Sequence, residues 1–187
     1  MHPAQLLAFA WIAWIASWML AAAWSTRTER RAPRRAELLY RAITIAGILL
    51  MVYRLGRRPA WPVGHDVGWA LAWLAVAGML FTWWARIHIG RLWSSGITRK
   101  AGHRIVETGP YALVRHPIYT GIIVAILATA AARARATSLA GAALIIVGFW
   151  LKARAEEQFL AEELGAEAYA AYRRRVPMLV PLPWRRR

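Results

Sequence analysis

Residues 4–24 read AQLLAFAWIAWIASWMLAAAW, without a single charged side chain. A helix of that length, rising 1.5 Å per residue, crosses a hydrocarbon core of about 30 Å. The stretch has no basic start and is longer than the apolar part of a cleavable leader, so it reads as a spanning helix. Two further windows follow: AELLYRAITIAGILLMVY, residues 36–53, and VGWALAWLAVAGMLFTWWA, residues 67–85. Arg41 interrupts the second close to its start, where its long side chain can reach headgroups. Residues 118–132 and 137–151 are shorter, and only RARA separates them, which predicts a helical hairpin. The expected fold class is therefore an all-α integral membrane protein of about five transmembrane helices, the last two a hairpin.

Composition agrees with this reading. Hydrophobic residues make up 59% of the 187 and charged residues 18%, and the formal charge is +16. Arginines crowd into short loops between apolar windows, with no recognised nucleic-acid module beside them, so the charge is assigned to lipid headgroups and orientation rather than to nucleic acid. There are no cysteines, which excludes disulfides, thiolate metal sites and a cysteine nucleophile. His103 and His116 are thirteen residues apart and the other histidines are scattered, so no metal is expected.

Residues 25–35 carry five arginines, residues 86–117 six basic residues and residues 152–187 eight, against three in 54–66 and two in 133–136. The positive-inside rule then predicts a cytoplasmic C-terminus and an outside N-terminus, in the inner membrane if the cell is bacterial. Of the twelve tryptophans, Trp61, Trp69, Trp83, Trp84, Trp93, Trp150 and Trp184 fall near predicted helix ends, where indoles favour the interface. Trp11, Trp14 and Trp18 share one helical stripe, read as packing or lipid contact.

Five of the nine acidic residues fall in EEQFLAEELGAE, residues 156–167. No proline or other breaker parts this stretch from the fifth window, so the helix is expected to run on into the cytoplasm. Glu162, Glu163 and Glu167 read as the solvated side of an amphipathic helix. Glu156 shares a face with Phe159 and Leu160, and a carboxylate there needs a cation or a ligand. Lys152, Arg154 and Arg115 are the candidate partners. Upstream, Pro117 opens an apolar run and suits a first helical turn, placing His116 at the helix entrance beside free backbone N–H groups.

Three blocks occur in order: HRIVETGPYALVRHPIYTG (103–121), RAEEQFLAEELG (154–165) and YAAYRRRVPMLVP (169–181). Together they resemble the isoprenylcysteine carboxyl methyltransferase family and, more loosely, the membrane phospholipid methyltransferases. The likeness covers about half the chain, residues 88–182. It implies an S-adenosyl-L-methionine-dependent methyltransferase with a cytosolic cofactor-binding loop and C-terminal helix. By the same likeness His103, Arg104, Ile105, Val106, Tyr111, His116, Pro117, Ile118 and Tyr119 line the cofactor. Glu156 or Glu157 binds its amino group, with Glu157 counted among the catalytic residues, and Arg154 holds a substrate carboxylate. Residues 1–187 form one membrane domain, with 1–88 on the substrate side and 89–187 as the methyltransferase core.

Two departures stand out. The Gly165–Tyr169 interval is one residue longer than the family spacing, and Lys152 stands where some relatives carry the arginine. The implied acceptor is the carboxylate of an isoprenylcysteine-like, lipophilic substrate, with a phospholipid amine as the alternative. The rival classes are a nicotinamide-dependent membrane lipid or sterol-type reductase, which shares RHPxYxG, and a non-enzymatic membrane protein.

Overall fold

The computed structural model describes residues 1–53, 61–102 and 104–181. His103, Trp184, the arginines at 54, 57 and 58 and those at 185–187 lie outside the described residues. Each of the five apolar windows forms a helix: α1 (Pro3–Ala22), α2 (Arg34–Val52), α3 (His65–Ile89), α5 (Pro117–Arg133) and α6 (Ala136–Leu164). The short α4 (Pro110–Leu113) precedes α5, and α7 (Ala166–Arg175) follows α6. Three stretches, Pro3–Ala22, His65–Leu92 and Ala136–Leu164, are long and apolar enough to cross a membrane, and α5 is apolar but shorter. In α2, Arg34, Arg35, Glu37 and Arg41 crowd the first turns. Phe9, Ile12, Ile15, Met19, Leu80, Ile87, Val147 and Trp150 stand exposed on these helices. An apolar surface of that extent suits hydrocarbon rather than water.

Lipid gives no hydrophobic drive for helices to associate, so they must approach closely enough for dispersion contacts. The two most extensive helix pairings, α2 with α6 and α3 with α5, both do this at facing glycines. A Cβ on Gly47 would lie 2.7 Å from the Gly141 carbonyl oxygen, and one on Gly78 would lie 2.6 Å from that of Gly121. No side chain fits at either crossing without parting the backbones. Gly78→Leu is therefore expected to separate α3 from α5 and to cost about 1–3 kcal/mol or more as overpacking, read as a lower unfolding temperature in detergent. An unchanged midpoint would show that the helices are held elsewhere.

α5 starts as its sequence suggests, with His116 as the N-cap and Pro117 in the first turn. α6 runs unbroken for 29 residues, about 43 Å at the helical rise, carrying the Glu156–Glu157 pair out past the apolar layer. It stops at Gly165, whose φ of +102° lies where a Cβ would be strained, and α7 turns back across the end of the bundle.

The expectation of a purely helical chain needs one correction. Thr28–Arg31 (β1) pairs antiparallel with Thr98–Lys100 (β2) in a two-stranded ribbon. Neither TERR nor TRK alternates apolar and polar residues, so the pattern is silent, and only the meeting of two loops far apart in sequence creates the strands. The ribbon also corrects the reading of Glu163 as a merely solvated residue: its carboxylate accepts from Arg30 at 3.0 Å and from Arg99 at 3.1 Å, tying both strands to α6.

Candidate active site at one end of the bundle

The C-terminal ends of α1, α3 and α6 meet the N-terminal ends of α2 and α5. Arg86, fully buried near the end of α3, organises this junction. Its guanidinium donates to the carbonyls of Ala21 and Trp24 at 2.8 Å each and of Gly90 at 2.6 Å. The Ala21 and Gly90 carbonyls also accept the backbone N–H groups of Trp24 and Trp93, so Arg86 reinforces the two helix ends, and a cation there opposes the helix dipoles. The Trp24 and Trp93 rings lie 5.1 and 4.7 Å from its carbon.

A cleft of about 780 Å³, part of it open to solvent, lies beside this junction. All of its lining residues fall between Ile89 and Tyr172. Arg104, Ile105, Val106, Tyr111, His116, Pro117, Ile118, Tyr119 and Glu156 line it together. The non-local contacts explain how: Tyr172 in α7 donates to the Tyr111 carbonyl at 2.8 Å, and burial pushes both phenols above the ordinary tyrosine range, so they remain neutral donors. The His116 and Tyr119 rings stack 5.2 Å apart at 4°.

Neighbouring glutamates divide sharply. Glu157 is 3% exposed. It accepts from Arg115 Nε at 2.7 Å and Nη2 at 3.2 Å, lies 3.2 Å from His116 Nε2, and has Arg173 Nε at 3.5 Å. Arg115 also donates to the carbonyls of Arg173 and Val176. The backbone N–H groups of Arg115 and His116 donate to the Pro177 and Met178 carbonyls at 2.9 and 3.1 Å, and Thr120 Oγ1 donates to Leu179 O at 2.6 Å. The RHP stretch is thus laced to the segment after α7, with Glu157 at the centre of the lacing and absent from the cleft lining.

Glu156 faces the cleft. Tyr119 donates to its Oε2 at 2.6 Å, and among the described residues it makes no ion pair. Of its three expected partners, Arg115 belongs to Glu157 and Arg154 is exposed, its guanidinium 5.1 Å from the Trp150 ring. Lys152 donates to the Ser95 carbonyl at 2.8 Å and lies 5.2 Å from the Tyr119 ring. The structure therefore gathers nine of the expected cofactor residues around one cleft and leaves Arg154 outside it. Sequence reasoning did not single out Trp93, Tyr169 or Tyr172 as part of this site. Tyr169 and Tyr172 stand in the third quoted block, whereas Trp93 had read only as an interface residue.

A bundle of apolar helices, three stretches of which are long and apolar enough to cross a membrane among the described residues, with a cleft at one end, is the architecture of a membrane protein. Residues 70–162 match the sequence model of the isoprenylcysteine carboxyl methyltransferase (ICMT) family, and over that stretch the chain belongs to this family. Two curated proteins are similar. The cobalt-zinc-cadmium resistance protein CzcN of Cupriavidus metallidurans is 34% identical over 126 residues, 63% of this chain and 55% of that protein. Methanethiol S-methyltransferase 2 of Bradyrhizobium diazoefficiens is 44% identical over 79 residues, 41% of this chain and 29% of that protein. The chain thus spans about half the length of the first and under a third of the second.

Proposed function

We propose that this chain is an S-adenosylmethionine-dependent membrane methyltransferase for a lipophilic acceptor, with the cleft as its cofactor site. The observation that carries the reading is the contrast between the two glutamates. Glu157 has its charge met by Arg115, His116 and Arg173, whereas Glu156 presents a carboxylate to the cleft with one oxygen steadied by Tyr119. A carboxylate so placed suits a ligand ammonium. The remaining lining suits a cofactor with a flat, partly apolar body: Ile105, Val106, Ile118 and Leu160 as walls, Tyr111 and Arg104 as polar contacts.

When bound, the cofactor supplies a methyl group already activated by its sulfonium, so the protein's work is binding and orientation. Glu156 fixes one end of the ligand, the stacked His116 and Tyr119 rings hold that carboxylate's direction, and the apolar walls keep water from the reacting centre. The third block, through Tyr169 and Tyr172, closes one side. A carboxylate acceptor is ionised at neutral pH, so no general base is needed. Its cation would be Lys152, beside Tyr119, rather than the outward Arg154. A thiol acceptor is a second reading, favoured by the absence of Arg154 from the cleft and by the likeness to a protein named as a methanethiol S-methyltransferase. Within the described residues the three basic segments lie at the cleft end, which supports a cytoplasmic site with residues 1–88 forming the membrane-facing approach.

Isothermal titration of the detergent-purified chain with S-adenosylhomocysteine tests this, with a reduced nicotinamide cofactor in parallel. Micromolar binding of the first alone is expected, and binding of the second alone would overturn the reading. Arg154→Ala is expected to leave affinity and methyl transfer within about twofold, as for a surface substitution. A loss beyond tenfold in transfer would return Arg154 to the acceptor site.

A further inference from the structure

Trp93 is held in a way that an ordinary interface tryptophan is not. It follows the 3-10 turn Gly90–Leu92 that ends α3 and lines the cleft together with Ile89, Leu92 and Ile118. The buried guanidinium of Arg86 lies 4.7 Å from its ring, and three carbonyls fix that guanidinium in turn. The Trp18 indole meets Trp93 edge to face, 5.6 Å between centroids at 89°. Behind Trp18 the aromatic row continues inward along α1: Trp18 stacks on Trp14 at 4.9 Å and meets Trp83 at 5.4 Å. Trp14 and Trp83 are themselves anchored, donating to Thr82 Oγ1 at 2.8 Å and Ser17 Oγ at 3.2 Å.

The apolar end of the cleft therefore stops at an indole braced by a cation at one side and a rigid aromatic row at the other. Cation–π contact with a desolvated guanidinium resists ring rotation, and a close-packed row does not give way by small adjustments. A half-buried wall so braced resists displacement, and an acceptor that does not fit meets it at a cost. We propose that Trp93, braced by Arg86 and Trp18, is the specificity-determining residue that limits acceptor size and admits only a short apolar group beside the cofactor. This rests on the methyltransferase reading and deepens it by naming the acceptor class, a small lipophilic nucleophile in place of one carrying a long chain. Arg86 acts through Trp93 and is a positioning residue.

The test uses the full chain in lipid nanodiscs with S-adenosylmethionine and two homologous acceptor series, n-alkanethiols and n-alkanoic acids from one to twelve carbons. Release of S-adenosylhomocysteine is the readout, and its binding is titrated separately. Wild type is expected to show a sharp length limit, with turnover falling about tenfold or more past it, the scale on which a methylene too many is rejected. Trp93→Ala should move the limit to longer chains, with any fall in S-adenosylhomocysteine affinity smaller than the change in acceptor preference, since Glu156 and its hydrogen bond from Tyr119 are retained. Trp93→Leu and Trp18→Ala, milder changes kept in case the first variant fails to fold, should move it the same way by less. An identical length profile in wild type and variants overturns the proposal. So does a loss of S-adenosylhomocysteine affinity in step with turnover, which would make Trp93 a cofactor wall, and so does a wild type that binds S-adenosylhomocysteine yet accepts long chains or no member of either series. Failure of wild type to bind S-adenosylhomocysteine at all is a different result and sinks the methyl-donor reading itself.

Discussion

Glu157→Ala is expected to loosen the whole C-terminal cap and to lower the unfolding temperature more than any other single change at this end of the molecule. The alanine leaves Arg115, whose side chain is 7% exposed, without its carboxylate and removes the partner of His116 and Arg173. Breaking a buried ion pair from one side costs about 3–5 kcal/mol, because the abandoned charge stays desolvated. Two carbonyls, of Arg173 and Val176, still accept from Arg115, which favours the lower half of that range. Glu157→Gln keeps the shape and one acceptor, so about 1–2 kcal/mol is expected. The check is thermal unfolding in detergent together with tryptic cleavage at residues 173–175, which should quicken in the alanine variant as α7 detaches. A Glu157→Ala protein with wild-type midpoint and cleavage rate would mean that the cap is held by backbone contacts alone.

For Glu156 the opposite pattern is expected. Glu156→Gln removes a charge that lines the cleft and has no ion-pair partner among the described residues, while glutamine can still accept from Tyr119. Stability without ligand should hardly change. Affinity for S-adenosylhomocysteine should fall by about ten- to a hundredfold, the worth of a hydrogen bond to a charged group, 1.5–3 kcal/mol. Titration of the two glutamine variants side by side separates the roles. If Glu157→Gln loses affinity at full stability and Glu156→Gln does not, the assignment of the two neighbours is reversed.

That division shows where reading the sequence stops. Both glutamates stand in one acidic run, and the helical face alone favoured Glu156 as the residue needing a cation. In the folded chain Glu156 has a tyrosine and an open cleft, while Glu157, one position on and turned about 100° around the helix, meets Arg115 from the link between α4 and α5 and Arg173 from α7. Partners contributed by residues 42 and 16 positions away are matters of packing, which no local pattern encodes. Arg154 illustrates the same point. The family likeness implied a substrate contact for it, yet the rotation of α6 against α2 and α5 turns it outward onto Trp150.

What the sequence determined by itself was whatever depends on the bilayer and on short-range chain chemistry. Apolar windows become helices in lipid because each backbone polar group needs an internal partner there; each of the five formed a helix, and among the described residues three stretches are long and apolar enough to cross a membrane. Pro117 after His116 opened a helix, and the first motif block with most of the second lies within the family match over residues 70–162. The tertiary structure alone decided which charged side chains pair, that two featureless basic loops join as a ribbon held by Glu163, and that Trp93 lines a cleft. The physical reason is common to these cases: a buried charge or a braced indole is satisfied by atoms distant in sequence, and their positions exist only once α2 has packed on α6 and α3 on α5 through their glycines.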